Sequence, residues 1–204
     1  MKNHGLLIVI SGPSGVGKGT ICDHLFNIAE GIEYSISMTT RTPRKGEING
    51  VDYHFVSHET FKEMIQQDEL LEWAEVYGNY YGTPRNTVDT SLSEGKDVIL
   101  EIDIQGALQV KNKRPDGVFI FLLPPTLQEL QARIKKRGTE NEADLDKRIK
   151  SARKEIETAL AYDYVLVNKE IKHSINVIKS IIDAEKCRVN RVGEKIVREV
   201  IDGE

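Results

Sequence analysis

The sequence has little cysteine and no long apolar run. Its two cysteines, Cys22 and Cys187, are far apart and lack metal-ligand spacing, which favours a reducing cytosol over a disulfide scaffold and makes neither a metal ligand. No apolar stretch approaches the roughly 18 residues that a membrane span needs. The N-terminus runs into fold signals without a cleavage-site pattern. We therefore expect a cytoplasmic protein with no membrane partner.

An excess of one charge is also absent. Charged residues make up 29% of the chain, and the formal net charge is -4, so there is no general attraction to nucleic acid or anionic lipid. Any anion site must be local. Fixed-period repeats and low-complexity segments are absent too. A chain of 204 residues with 39% apolar content therefore predicts one globular unit.

Short, uniformly apolar runs recur along the chain and are typical of strands covered on both faces. They occupy residues 6–10, 97–104, 117–123 and 163–168. Helical patterns alternate with them at residues 18–30, 126–138, 142–162 and 173–191. This alternation predicts an α/β fold, with a parallel sheet flanked by helices.

Two stretches depart from the alternation. Residues 35–85 are rich in Thr, Tyr, Gly and Arg, with short extended pieces around one helical pattern at residues 58–67, and predict an inserted, mixed α+β lobe. Residues 133–154 hold nine Lys or Arg against four Asp or Glu. This basic helical segment is a local exception in an acidic chain.

The run "GPSGVGKGT" follows the first apolar strand and opens a helix, with the spacing of a P-loop. Residues without a Cβ let such a loop wrap closely around phosphates, and the helix N-terminus adds partial positive charge. Lys18 is expected to reach the β and γ phosphates of a nucleoside triphosphate. The alternative is a glycine-rich turn that binds nothing. The predicted ATP-binding residues here are Gly12, Pro13, Ser14, Gly15, Val16, Gly17, Lys18, Gly19 and Thr20.

The residue after Lys18 is Gly19, where many P-loops place the Ser or Thr hydroxyl that contacts Mg²⁺. We expect Mg²⁺ to be held mainly by phosphates and water, without a direct side-chain ligand, and Thr20 to lie near the α-phosphate. Whether Thr20, Glu101 or Asp103 contacts the metal's hydration shell is left open.

A triphosphate donor needs an acceptor. Arg41 and Arg44 lie three residues apart after polar, turn-prone residues, and Tyr53 follows a turn at Gly50. Two guanidinium groups and a phenol suit a phosphate monoester, because arginine presents paired donors that match phosphate oxygens. The alternative is that these arginines only solvate a surface loop.

Glu72 stands in a segment otherwise suited to a strand, so its side chain either points to solvent or serves a site. Guanine presents N1–H and N2–H₂ side by side, and one carboxylate can accept both, whereas adenine offers no such pair. Trp73 is more typical of a core than of a stacking platform. A phenol, a close backbone approach and a hydroxyl follow, in Tyr81, Gly82 and Thr83.

Four blocks in this order, "GPSGVGKGT", "TTRTPRKGEINGVDYHF", "EWAEVYGNYYGT" and "VILEIDIQG", closely resemble guanylate kinases. The resemblance spans residues 7–190. It implies a single guanylate kinase-like domain over residues 1–204, with a P-loop kinase core, an inserted GMP-binding lobe and a helical lid. The implied core is residues 1–34, 86–132 and 160–204, the lobe is residues 35–85, and the lid is residues 133–159.

The resemblance also implies residue roles. The GMP phosphate is gripped by Arg41, Arg44, Tyr53 and Tyr81, and the guanine is surrounded by Ser37, Glu72, Thr83 and Asp103. Arg137 and Arg148 match the lid arginines, which are expected to act in catalysis with Lys18 and Arg41. Asn168 matches a residue beside the adenine of ATP, although Lys169 and Glu170 depart from the family's pattern on that side.

The implied reaction is ATP plus GMP, or dGMP, giving ADP plus the diphosphate, with Mg²⁺ as cofactor. ATP and GMP are then the partners, and no nucleic acid is expected; the oligomeric state is undecided. One alternative is another nucleoside monophosphate kinase, such as an adenylate or thymidylate kinase, which the "TTRTPR" and "NYYGT" blocks disfavour. A second is a guanylate-kinase-like binding module of a scaffold protein, which the intact Lys18 disfavours.

The last residues, 192–204, are compatible with a helix, a strand or an arm that contacts a partner subunit. We expect no exposed apolar stripe beyond the core patterns.

Overall fold

The computed structural model describes residues 4–28, 31–76, 78–136 and 142–203. The strands in this part of the chain are β1 (Leu7–Ser11), β2 (Ile32–Tyr34), β3 (Met38–Thr39), β4 (His54–Phe55), β5 (Leu70–Val76), β6 (Asn79–Pro84), β7 (Asp97–Glu101), β8 (Val118–Leu123) and β9 (Tyr164–Val167). The helices are α1 (Lys18–Ile28), α2 (His58–Gln66), α3 (Arg85–Ser93), α4 (Ile104–Lys113), α5 (Leu127–Lys136), α6 (Glu142–Glu157), α7 (Ile171–Lys186) and α8 (Glu194–Asp202).

Five strands form a parallel central sheet in the order β2-β7-β1-β8-β9. All five residues of β1 are buried, because helices cover both faces of the sheet. Ile8 and Ile10 pack on the face covered by α1 and α7, and Leu7 and Val9 pack on the face covered by α3 and α4. The predicted parallel sheet flanked by helices is confirmed. The glycine-rich loop follows β1, the central strand of this sheet.

The second sheet is mixed, with the order β4-β3-β6-β5. β3 pairs with β4 in parallel, whereas β6 runs antiparallel to β3 and to β5. Helix α4 joins this sheet to the central one, because the Gln109 amide accepts from the backbone N–H of Trp73 at 3.1 Å and donates to its carbonyl at 2.9 Å. The Gln109 side chain thus makes the two backbone hydrogen bonds that a neighbouring strand would make at the open edge of β5.

Two elements end earlier than the sequence patterns predicted. The run at residues 97–104 stops as a strand at Glu101, because Asp103 caps α4 by accepting a 2.8 Å bond from the Gly106 N–H. Helix α6 ends at Glu157, and Thr158–Ala161 form a 3₁₀ turn rather than continuing the helix to residue 162. None of the described helices is long and apolar enough to cross a membrane.

The C-terminal segment contains helix α8, so the helical alternative applies to residues 194–202. The expectation of no exposed apolar stripe is wrong. Ile196, Val197, Val200 and Ile201 are 51%, 55%, 78% and 75% exposed. Their spacing places them along one side of the helix, which the fold leaves uncovered.

Candidate functional site

The loop between β1 and α1 needs glycine for two separate reasons. Gly12 and Gly17 have φ values of +146° and +102°, a region that side-chain-bearing residues rarely adopt. A Cβ on Gly12 would lie 2.4 Å from the Leu122 carbonyl oxygen, and one on Gly17 would lie 2.8 Å from Nδ2 of Asn168. Backbone conformation and space therefore both exclude a side chain at these positions.

Lys18 begins α1 and bends back over this loop. Its Nζ donates to the carbonyl oxygens of Gly12 and Pro13 at 2.7 and 3.4 Å. Burial lowers the pKa of Lys18, while the carboxylates of Glu101, Glu155 and Asp103 oppose that shift. The ammonium group is thus held at the loop, in a pocket whose carboxylates favour its charged form.

Val16 anchors the loop from below. Its side chain is fully buried in the central core, and its carbonyl oxygen accepts from Nδ2 of Asn168 at 2.8 Å and from Nη1 of Arg133 at 3.3 Å. Of the other loop residues, Ser14 and Thr20 are exposed and Gly15 and Gly19 are half-buried. The loop is therefore fixed at its base and open at its rim.

Asn168 follows β9 and is buried against the loop rather than standing free beside it. Besides bonding to Val16, it accepts from the Ser174 hydroxyl at 2.9 Å, and its carbonyl oxygen accepts from Arg133 Nη2 at 3.2 Å. Sequence reasoning gave no individual role to Arg133. Its partners are 35 and 117 residues away, so no local pattern indicates this bracing contact.

Glu101 lies at the carboxyl end of β7, opposite Gly19. A Cβ added to Gly19 would lie 3.5 and 3.6 Å from the two carboxylate oxygens of Glu101. The carboxylate therefore stands beside the place where a P-loop Ser or Thr side chain would begin. Among the residues that the structure describes, no group of three or more His, Cys, Asp or Glu could hold a metal by itself.

Glu72 in β5 is 6% exposed, which excludes the solvent-facing alternative. Its Oε1 accepts a 2.6 Å hydrogen bond from the hydroxyl of Thr83, the residue opposite it on β6. Burial raises the pKa of Glu72 to about 7, despite the opposing effect of that bond. Gly106 of α4 lies against the carboxylate, since a Cβ there would be 2.6 Å from Oε2. Two of the residues predicted around a guanine, Glu72 and Thr83, thus meet at a buried point beside α4.

Gly82 and Trp73 lie on the same mixed sheet, Ser37 directly precedes its strand β3, and Asp103 lies at the start of α4. Gly82 pairs with Trp73, and a Cβ on it would lie 2.8 Å from the Glu72 carbonyl oxygen, so it permits close strand packing. Trp73 is half-buried rather than part of the core. Ser37 is half-buried, and its carbonyl oxygen accepts from the His54 N–H at 2.9 Å.

Arg41, Tyr53 and Tyr81 are brought together as predicted for a phosphate pocket. The Arg41 guanidinium carbon lies 5.4 Å from the centre of the Tyr53 ring, which meets the Tyr81 ring edge-on at 6.1 Å. Arg41 also forms a two-pronged ion pair with Glu47, at 2.9 Å for each nitrogen. The Arg44 side chain is exposed. Glu47 had no role in the sequence-based analysis, although it lies within the "TTRTPRKGEINGVDYHF" block.

The structure does not describe the side chains of the two predicted lid arginines. Arg137 lies outside the described residues, and Arg148 lies within α6. Burial raises the pKa of Glu155 near the end of α6, and the charge of the Lys18 ammonium opposes that rise. Helix α6 packs on α5 through Ala152, Leu130 and Ile134.

Comparison with known proteins agrees with this geometry. A family model described as guanylate kinase matches residues 4–185. The guanylate kinase of Desulfitobacterium hafniense (strain Y51) is 57% identical over 190 residues, which are 93% of this chain and 95% of that protein. The guanylate kinase of Bacillus subtilis (strain 168) is 54% identical over 196 residues, 96% of each chain. The crystal structure of guanylate kinase from Anaplasma phagocytophilum matches with a TM-score of 0.77 at 36% identity, covering 97% of this chain and 95% of that chain. From its sequence, its two sheets and these relatives, the chain belongs to the guanylate kinase family.

Proposed function

We propose that the protein transfers the γ-phosphoryl group of ATP to GMP, and also to dGMP, giving ADP and the nucleoside diphosphate. The observation that supports this most directly is the position of Asp103. It caps α4 by accepting from the Gly106 N–H at 2.8 Å, Gly106 lies against the Glu72 carboxylate of the second sheet, and the charge of Asp103 also acts on the Lys18 ammonium in the loop. Asp103 therefore adjoins residues assigned to both the donor and the acceptor, which supports a transfer between two bound nucleotides.

Base recognition is assigned to Glu72. When ionised, its carboxylate accepts from N1–H and N2–H₂ of guanine, while Thr83 holds it in place through Oε1. Adenine has an acceptor at N1 and no N2 amino group, so it leaves a buried carboxylate without donors, which is costly. We assign Ser37 and Asp103 to the surroundings of the base on the strength of the family resemblance, and Gly82 because it permits a close backbone approach.

The acceptor phosphate is assigned to Arg41, Arg44, Tyr53 and Tyr81. Arg41 and the two tyrosine rings already form one cluster, and the exposed Arg44 side chain is available at its rim. Guanidinium and phenol donors match the oxygens of a monophosphate and hold it in line for attack. This lobe, residues 35–85, then presents the acceptor to the loop of the core.

The loop residues 12–20 bind the donor phosphates in this proposal, and Asn168 lies at the adenine side. Transfer needs alignment and charge stabilisation more than covalent chemistry, so no side-chain nucleophile is assigned. Lys18 stabilises charge on the moving phosphoryl group. Arg137 and Arg148 of the lid, residues 133–159, are proposed to close over it, so that water is excluded until both nucleotides are bound.

Magnesium fits this site as a metal shared between protein and substrate. Mg²⁺ is usually bound through one or two carboxylates together with substrate phosphates and waters, rather than by an all-protein cage. The Glu101 carboxylate beside Gly19, with Asp103 near Lys18, would hold the metal through its bound waters. When bound, the metal would neutralise charge on the donor phosphates.

A coupled assay for ADP release, run with GMP, dGMP, AMP, UMP and TMP in turn, tests the proposed function. We expect turnover with the two guanine nucleotides and little with the others. Lys18→Met should lower kcat by at least about 100-fold, whereas Lys179→Met, which removes an exposed lysine on α7, should leave kcat unchanged. Turnover that favours another monophosphate would overturn the assignment of GMP, and an absence of ATP binding in a titration would favour the binding-module alternative. We propose a cytoplasmic location, where both nucleotides are available.

A further inference from the structure

Glu47 is fully engaged inside the phosphate cluster, although it is an acid in a site for anions. Its Oε1 accepts from Nη2 of Arg41, and its Oε2 accepts from Nη1 of Arg41 at the same distance of 2.9 Å. Oε2 also accepts from the backbone N–H of Arg44 at 2.6 Å. One carboxylate therefore ties both predicted phosphate-binding arginines together, one by its side chain and one by its backbone.

The contacts of Arg41 determine which of its five N–H donors are left for a ligand. Nη1 donates to Glu47 and to the carbonyl oxygen of Thr42, the latter at 2.9 Å, and Nη2 gives one hydrogen to Glu47. Nε–H and the second Nη2–H take part in none of these three bonds. These two lie along the same edge of the planar guanidinium group, with the spacing that matches two phosphate oxygens.

Aromatic rings hold the plane of the same guanidinium group. Its central carbon lies 5.4 Å from the ring centre of Tyr53 and 5.8 Å from that of Phe55. The Tyr81 hydroxyl also interacts with Arg41. The pKa of Glu47 is lowered to about 2, mainly by its hydrogen bond to Arg41. The carboxylate therefore stays charged and paired throughout the neutral range.

We propose that Glu47 is a positioning residue for the acceptor phosphate. It binds Nη1 and Nη2 at the end of the Arg41 guanidinium group. The Nε–Nη2 edge is thereby already orientated for the 5′-phosphate of GMP. The proposal rests on the proposed function, because it concerns the same acceptor pocket. It adds a specific role for an acidic side chain that does not itself touch the substrate: the arginine is orientated before the nucleotide arrives, so less conformational freedom is lost on binding.

The test is the variant Glu47→Gln, whose amide cannot accept from both nitrogens of Arg41. We expect the KM for GMP to rise at least about tenfold and the KM for ATP to change by less than about twofold. Inhibition by guanosine, which lacks the phosphate, should be unchanged. In an Arg41→Lys background, Glu47→Gln should add little further loss, because the group that it orientates is already gone.

Asp52→Ala is the matched control. Asp52 accepts from the Ile48 N–H at 2.7 Å in the same loop. The variant therefore removes a loop contact and leaves the ion pair of Arg41 with Glu47 intact. Its KM for GMP should stay close to that of the unmodified protein. The proposal is overturned if Glu47→Gln leaves the KM for GMP unchanged, or if it weakens guanosine as much as GMP, as a general loss of loop structure would do. Failure of the unmodified protein to phosphorylate GMP would instead refute the proposed function itself.

Discussion

Thr83 donates a 2.6 Å hydrogen bond to Glu72 from the opposite strand of the mixed sheet. Glu72 is 6% exposed and, among the residues that the structure describes, it forms no salt bridge. A neutral hydroxyl stabilises a buried carboxylate less than a cation would, so burial dominates and the pKa rises to about 7. In the proposed function, the two adjacent donors of guanine would supply the partners that this carboxylate lacks.

Glu72→Gln should weaken GMP binding by about 1.5 to 3 kcal/mol, the scale of a hydrogen bond to a charged group, and should narrow the preference for GMP over AMP. Steady-state kinetics with both monophosphates measures the two effects. Glu75→Gln removes an exposed carboxylate from the same strand and should change neither. An unchanged GMP to AMP ratio in the first variant would remove Glu72 from the base pocket.

Stability should depend on pH through the same carboxyl group. Its pKa is about 7 in the folded protein against an ordinary value of 4.5, so its contribution to stability is fully present below pH 4.5 and is lost as the pH rises through 7. Urea unfolding at pH 5 and pH 8 should show a loss of up to about 3 kcal/mol that is absent in Glu72→Gln. Equal pH dependence in the two proteins would contradict this expectation.

Guanosine binding should release protons near neutral pH, because its donors favour the ionised form of Glu72. Calorimetry in two buffers with different ionisation enthalpies measures this release. Guanosine is used instead of GMP because a phosphate monoester itself titrates at about pH 6. The release should disappear in Glu72→Gln; release that persists there would assign the proton to another group.

Gly17→Ala should abolish tight ATP binding, with a Kd raised at least about 100-fold. The alanine would have φ near +102° and a methyl group 2.8 Å from the Asn168 amide. Gly31→Ala is a matched control, because Gly31 has φ +78° and its added methyl group would meet nothing within 4 Å. Fluorescence titration with ATP should therefore separate the two variants, even if their melting temperatures fall equally.

Asp97→Asn should lower stability by about 2 to 3 kcal/mol without changing the KM for GMP. The buried Asp97 carboxylate accepts from the Leu6 N–H at 2.9 Å and from Lys186 Nζ at 2.6 Å, joining β1, β7 and α7 at the amino ends of the strands. Asp183→Asn, an exposed change on α7, should have no effect on urea unfolding. A changed KM in the Asp97 variant would show that the two ends of the sheet are coupled.

The sequence predicted the phosphate loop because its signals are local: an apolar strand, then glycines and a lysine at fixed spacing. Alternation could not place Glu72, because β5 shifts register between Leu70 and Glu72 and so turns neighbouring side chains inward together. The ion pair of Arg41 with Glu47 depends on how one loop folds back, which no periodicity encodes. The amphipathic pattern of α8 can be read from the local sequence. Whether another part of the fold covers its apolar side depends on tertiary structure, which the local sequence does not reveal.

Helix α4 links the mixed sheet to the end of the central sheet where Lys18 lies. Its N-cap is Asp103, Gly106 in its first turn lies against the Glu72 carboxylate, and Gln109 in its middle bonds to the backbone of Trp73. The backbone that lies against Glu72 thus belongs to the same helix whose N-cap, Asp103, acts on the Lys18 ammonium. A tilt of the second sheet against the first would therefore have to carry α4 with it, together with its cap at Asp103.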